Sequence, residues 1–247
     1  MIIGGWSSGM ASVVSKEAVL RRTFRHEAPA RMQPLMVFDL DGTLVDSVPD
    51  LAAAVNRLMA SRGLAAFARP EVARMVGDGA RALVERAFAA RGAAVDDRAL
   101  PDFLVDYSAN AAHETQPYPG VHETLRRFAA AGWRMAVCTN KPEVPARTLL
   151  AALDLAPFFA AVGGGDSFPV RKPDPGHLRA TIAAAGGLPA AAVMAGDHHN
   201  DMLAAEGLGM PSVFAAWGYG PPETGVHASA TAMVFPELFD LAVRLKG

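Results

Sequence analysis

Leu35-Met36-Val37-Phe38-Asp39-Leu40-Asp41-Gly42-Thr43 begins with four consecutive apolar residues and stops on two carboxylates, a glycine and a threonine. A short apolar run without polar alternation predicts a strand buried on both faces, as in a parallel sheet covered by helices. Downstream, Ser47-Val48-Pro49-Asp50 precedes Leu51, Val55, Leu58 and Met59 at helical spacing, and Gly63 follows. Ser47 suits the N-cap, Pro49 the first turn and Gly63 the position beyond the C-terminus. Helical patterns then occupy 71–75, 81–90 and 98–112, until Pro117-Tyr118-Pro119-Gly120 breaks the run.

After that break the period changes. Strands are expected at 134–138, 159–162, 192–195, 212–215 and 232–235. Between and after them lie helical stretches at 121–131, 144–153 and 177–185, a short one through Leu203, and a last one at 236–245. Strands separated by helices imply right-handed crossovers and parallel pairing. The fold class expected is α/β: an open parallel, Rossmann-like sheet with helices on both faces plus an inserted α-helical cap domain. The core takes 34–48 and 118–247; the helical block at 49–117 is too long for a crossover and forms the cap.

The rest of the chain narrows the function classes. With 247 residues, 51% hydrophobic and 19% charged, it has ample material for a core and is neither disordered nor in need of staples. One cysteine, Cys138, excludes an internal disulfide and a secreted disulfide scaffold. A net charge of −2 and a pI near 6.4 offer no field for nucleic acid or an anionic membrane. No run approaches 18 apolar residues, so no membrane partner is expected. Residues 1–33 read as an extension: no cation heads them, yet Lys16, Arg21, Arg22, Arg25 and Arg31 outnumber Glu17 and Glu27. A transit peptide has this look; a misassigned start, with Met10 or Met32 the true one, or a disordered tail is preferred. The expected setting is the cytoplasm, as a monomer or homodimer.

In an open parallel sheet, ligands bind at the carboxyl ends of the strands, near the reversal of strand order. Here those ends carry Asp39 and Asp41, then Thr139-Asn140-Lys141, then Gly196-Asp197-His198-His199-Asn200-Asp201, with Lys172 in the loop before 192–195. Several carboxylates in one cleft stay ionised only around a cation, and oxygen-only ligation suits Mg²⁺. Acids, one lysine and one hydroxyl also match phosphoryl transfer, which needs a nucleophile, charge neutralisation and donors for the equatorial oxygens. Taken singly, Asp46, Asp50, Asp166 and Asp174 read as turn residues or helix caps, Asp201 as a charge at a helix start, and Lys172 as a solvated lysine. Their order along the chain is what argues for a site.

FDLDGT at 38–43, TNK at 139–141, RKPDP at 171–175 and GDHHND at 196–201 together resemble the four motifs of the haloacid dehalogenase superfamily, over about 35–247. More narrowly, VGDGAR at 76–81, PYPGV at 117–121, TNKP at 139–142 and AAWGYG at 215–220 resemble phosphoglycolate phosphatases. The resemblance implies a Mg²⁺-dependent phosphatase for a small phosphorylated metabolite, 2-phosphoglycolate first, working through an aspartyl-phosphate. It implies Asp39 as nucleophile and Asp41 as general acid and base, its side chain pointing the same way if the backbone stays extended. Lys172 would neutralise charge. Mg²⁺ would sit on Asp39, the Asp41 carbonyl and Asp197, with Asp201 acting through water. Thr139 and the Asn140 amide, with Gly42 and Thr43, would hold phosphoryl oxygens. From the cap, Gly77 and Arg81 are candidates for substrate contact, Arg81 with a surface arginine as its plainer reading. A β-phosphoglucomutase-like transferase, a pyrophosphatase, a broad sugar-phosphate phosphatase and a non-catalytic binding domain are the alternatives.

One departure stands out. Many relatives have Ser or Thr after the first Asp of the fourth motif, and this chain has His198-His199. Joint ligation of a transition metal by the pair is set aside, because neighbours on a helix do not face the same way.

Overall fold

The structure, a computed structural model, describes Met1 and residues 33–246, so the expectation for the N-terminal extension lies almost wholly outside the described residues. The chain enters through β1 (Leu35–Phe38) and β2 (Val45–Asp46) and leaves for four helices, α1 (Val48–Ser61), α2 (Arg69–Ala73), α3 (Ala80–Ala90) and α4 (Ala99–Asn110). It returns through β3 (Gln116–Pro117), α5 (Val121–Ala130), β4 (Arg134–Cys138), α6 (Glu143–Ala152) and β5 (Ala161–Gly163). Then come α7 (Pro175–Ala184), β6 (Ala192–Gly196), α8 (His199–Glu206), β7 (Ser212–Ala215), β8 (Ala230–Ala232) and α9 (Glu237–Lys246).

Six strands pair in the order β5-β4-β1-β6-β7-β8, every pair parallel. All four residues of β1 are fully buried, and their alternation splits them between two cores. Met36 and Phe38 join the cluster under α5, α6 and α9, while Leu35 and Val37 join the one under α7 and α8. Phe38 stacks on Phe235 at 5.8 Å and meets the edges of Phe128 and Phe159. The connection from β1 goes to β4 on one side, and the chain later crosses to β6 on the other. The strand order therefore reverses at the carboxyl end of β1, where a crevice opens.

Two strand boundaries differ from expectation, for one reason. Phe159 and Phe235 are apolar because they pack on Phe38, not because they sit in a ladder. Phe159 follows a 3-10 turn over Ala156–Phe158, which delays β5 to Ala161, and Phe235 accepts from the Leu238 amide at the entry to α9, so β8 ends at Ala232.

The four inserted helices pack around their own cluster, including Leu51, Val55, Phe88 and Phe103. The two passages between this cap and the sheet are stitched side by side. β2 pairs antiparallel with β3, and Asp50, 3% exposed in the first turn of α1, accepts from the backbone N–H groups of His113, Glu114 and Thr115 and from the Thr115 hydroxyl (2.7–3.1 Å). Burial opposes the Asp50 charge, but those donors hold its carboxyl below the usual range. Replacing Asp50 by Ala strands buried donors, so a loss of about 2–4 kcal/mol is expected. In thermal melting this appears as a fall of roughly 5–10 °C, with Asp50→Asn intermediate; an unchanged melting temperature would show that the stitch contributes nothing.

Candidate active site

Four chain-distant segments meet at the reversal point, and Lys172 lies at their centre. Its Nζ is 2.5 Å from the Cys138 carbonyl, 2.5 Å from Asp201 Oδ1 and 3.0 Å from Asp39 Oδ1. Burial alone would strip its proton, but Asp201 and Asp39 hold the ammonium well above its ordinary range. His177, in the next helix, holds the loop: its Nε2–H donates to the Gly164 carbonyl at 3.0 Å, leaving Nδ1 to accept from the Lys172 amide at 3.2 Å. Burial and the Lys172 charge push His177 down to about 4, so it stays neutral and keeps that tautomer.

Asp39, Asp197 and Asp201 bring carboxylate oxygens within 4.8 Å of one another, all buried. Three carboxyl groups face the single ammonium of Lys172. Burial, with Asp39 and Asp201 beside it, pushes Asp197 up to about 8, and burial likewise raises Asp39. A buried oxygen-only cluster with uncompensated negative charge fits a hard divalent cation. Asp197 is aimed by a hydroxyl and two amides: Thr43 Oγ donates to Oδ1 at 2.8 Å, and the amides of Tyr219 and Gly220 donate to Oδ2 at 2.8 and 3.4 Å. Gly42, at φ +83°, passes so close to this carboxylate that a Cβ would collide with it.

Other expectations fare differently. Thr43 is completely buried and its hydroxyl donates to Asp197, and Gly42 lies against the same group, so both shape that carboxylate. The backbone does not stay extended after Asp39. Amides of Thr43, Leu44 and Val45 all converge on the Leu40 carbonyl, and this turn sends Asp41 to Lys141, whose Nζ lies 3.0 and 3.1 Å from its oxygens. Arg81 is one residue past the face of α3 that lines the cleft through Ala80 and Leu83; its side chain is 65% exposed and turned toward Glu85. Thr139 and Asn140 do line the cleft, as does Gly77.

Several contacts around the site carry no local signal in the sequence. Lys141 also takes Tyr107 of α4 at 2.7 Å, so one ammonium links Asp41 to the cap. Asn140 Nδ2 donates to the Gly77 carbonyl (3.0 Å), and Asn200 Nδ2 to Gly77 and to Asp78 Oδ1 (3.2 and 2.7 Å). The Tyr219 hydroxyl donates to Asp46 and accepts from the Ser47 and Val48 amides, fixing the root of α1 beside the loop that aims Asp197. Motif membership marked Lys141 and Asn200, but nothing local marks Tyr107 or Asp78 as their partners.

A family profile of haloacid dehalogenase-like hydrolases matches residues 34–209. The chain is 44% identical over 191 residues to a phosphoglycolate phosphatase of Mesorhizobium japonicum, covering 76% of this chain and 84% of that protein. It is 46% identical over 188 residues to one of Caulobacter vibrioides, covering 74% and 79%. Among solved structures, a predicted phosphoglycolate phosphatase from Haemophilus somnus superposes with a TM-score of 0.79 at 29% identity, covering 85% of this chain and 97% of that one.

The raised Asp197 pKa sets a pH dependence. Its stabilising contribution is complete below the unfolded value of 3.8 and is lost as pH rises through about 8. Histidines held neutral by burial act only below their unfolded value of 6.5. Between pH 7 and 9 the metal-free protein should therefore lose stability, with about 2–4 °C lost per kcal/mol, and millimolar Mg²⁺ should flatten the slope. Melting curves with Mg²⁺ and with EDTA test this; parallel slopes would remove the cation from the cluster.

Proposed function

The chain belongs to the haloacid dehalogenase-like hydrolases and is a phosphoric monoester hydrolase, and we propose that it hydrolyses 2-phosphoglycolate to glycolate and phosphate through an aspartyl-phosphate on Asp39. The observation that carries the chemistry is the meeting of Asp39, Lys172, Asp197 and Asp201, with a second acid, Asp41, lining the same cleft. The substrate's identity is supported by the names of the relatives.

Asp39 Oδ1 is engaged by the Leu40 amide at 2.7 Å and by Lys172, which leaves Oδ2 as the attacking atom. As the Oδ2–phosphorus bond forms, the phosphorus–ester oxygen bond breaks, and Asp41 gives the leaving alkoxide a proton. Asp41 then takes a proton from the water that attacks the phosphorylated carboxylate, which frees phosphate and restores Asp39. The turn of Asp41 toward Lys141 requires its carboxyl to rotate to the leaving oxygen when the ester enters. Thr139 and the Asn140 amide hold phosphoryl oxygens, and Lys172 neutralises charge on them and on the nucleophile. Asp39, Asp197 and the Asp41 carbonyl, with Asp201 behind them, would hold Mg²⁺, which would supply further charge neutralisation. Apolar cap residues, Leu51, Val76, Leu83 and Phe103, roof the cleft and exclude water. Lys141 lines that roofed space and would pair with the substrate carboxylate once Asp41 has rotated to the leaving oxygen.

Phosphate release from 2-phosphoglycolate should require Mg²⁺ and stop in EDTA. Asp39→Asn should lower turnover by at least about 10³-fold with its melting temperature retained; activity within tenfold of the parent would remove Asp39 from this role. A panel adding β-glucose 1-phosphate, pyrophosphate and nucleoside monophosphates should favour 2-phosphoglycolate, and a decisive preference for another ester overturns the assignment. Arg81→Ala, given its exposed position, should leave KM for 2-phosphoglycolate unchanged; a large rise would place that guanidinium on the substrate.

A further inference from the structure

His198-His199 is the part of the fourth motif that the phosphatase chemistry leaves without a task. His198 stands before α8, with φ −117° and ψ 153°, and only His199 is within it. The rule that separates helical neighbours therefore does not apply, and the two imidazoles lie 4.2 Å apart, tilted by 44°. Across the cap boundary, Asp78 completes a second group: one ring nitrogen from each histidine and one Asp78 oxygen lie within 4.8 Å of one another. This group shares no residue with the Asp39-Asp197-Asp201 cluster.

Three features suit the group to a ligand. His198 Nδ1 is buried with no hydrogen-bond partner, a costly state for a polar atom unless something occupies it. Asp78 is positioned by Asn200 on Oδ1 and Arg86 on Oδ2, yet each carboxylate oxygen keeps a further lone pair. Gly77 lets the His198 ring pack directly against the cap backbone beside Asp78, since a Cβ there would lie 2.6 Å from Nε2. Two imidazoles and one carboxylate with an open side prefer Zn²⁺, Co²⁺, Ni²⁺ or Cu²⁺ to Mg²⁺. Tetrahedral bonds of about 2.0–2.1 Å need the donors about 3.3 Å apart, and exposed His199 is free to turn inward.

We propose that Asp78, His198 and His199 form a binding site for a zinc-type transition-metal ion that ties the cap to the core, separate from the oxygen-only cluster. Asp78 belongs to the cap and both histidines to the core, so an occupied site opposes the cap opening that substrate entry and product release require. Such an ion inhibits the Mg²⁺-loaded enzyme without displacing Mg²⁺.

Titrating the Mg²⁺-saturated full chain with Co²⁺ at pH 7.5 tests the site by its visible d–d absorption, independently of whether the substrate assignment holds. The wild type should take up one Co²⁺ with a nitrogen-ligand spectrum, and His199→Ala and Asp78→Asn should each bind it at least about tenfold more weakly. His199→Ala should keep its Mg²⁺-dependent phosphate release but escape the inhibition that micromolar Zn²⁺ imposes on the wild type. No Co²⁺ uptake by the Mg²⁺-saturated wild type, or identical affinity and spectrum in wild type and both variants, would overturn the proposal.

Discussion

Three buried carboxylates held against a single ammonium are the constraint around which this molecule is arranged. Asp39, Asp197 and Asp201 repel one another in a place where water cannot screen them, and Lys172 answers only part of that charge. Each acid is kept in place by groups that serve little other purpose: Thr43 and two amides on Asp197, the His198 amide on Asp201, the Leu40 amide on Asp39. His177 keeps the lysine loop in register from behind. A buried oxygen-only cluster of this charge is suited to a hard divalent ion, in keeping with the function proposed for it.

The same groups reach outward to the cap. Asn140 follows Thr139 and Asn200 precedes Asp201 in the chain, yet their side chains grip the Gly77-Asp78 loop. Lys141 joins Asp41 to Tyr107, and Tyr219 joins the loop that aims Asp197 to the root of α1. Cap and reactive groups are thus joined by shared side chains. The proposed metal group at Asp78, His198 and His199 lies on that seam, so its occupancy acts on cap movement instead of on the chemical step.

Much of this was legible in the chain. An apolar tetrad ending in Asp39-Leu40-Asp41-Gly42-Thr43, with crossovers after it, fixes a parallel sheet, and the carboxyl ends of parallel strands must share an edge. That geometry brings Asp39, Thr139, Lys172 and Asp197 together whatever the details. The cap was visible as a helical block too long to be a crossover. Less legible were residues whose task depends on a single dihedral or helical phase: Arg81 is one step off the cleft-lining face of α3, and the turn at Leu40 takes Asp41 away from an extended course.

Sequence alone determined the sheet, the inserted helices and the candidate reactive groups, because strand burial and motif order are local properties that survive any packing. Only the tertiary structure decided which partners those groups meet. Lys141 with Tyr107, Asp50 with Thr115 and Asp78 with Asn200 join positions 34, 65 and 122 residues apart. Such contacts depend on how two separately packed hydrophobic clusters sit against each other, and no spacing along the chain encodes that.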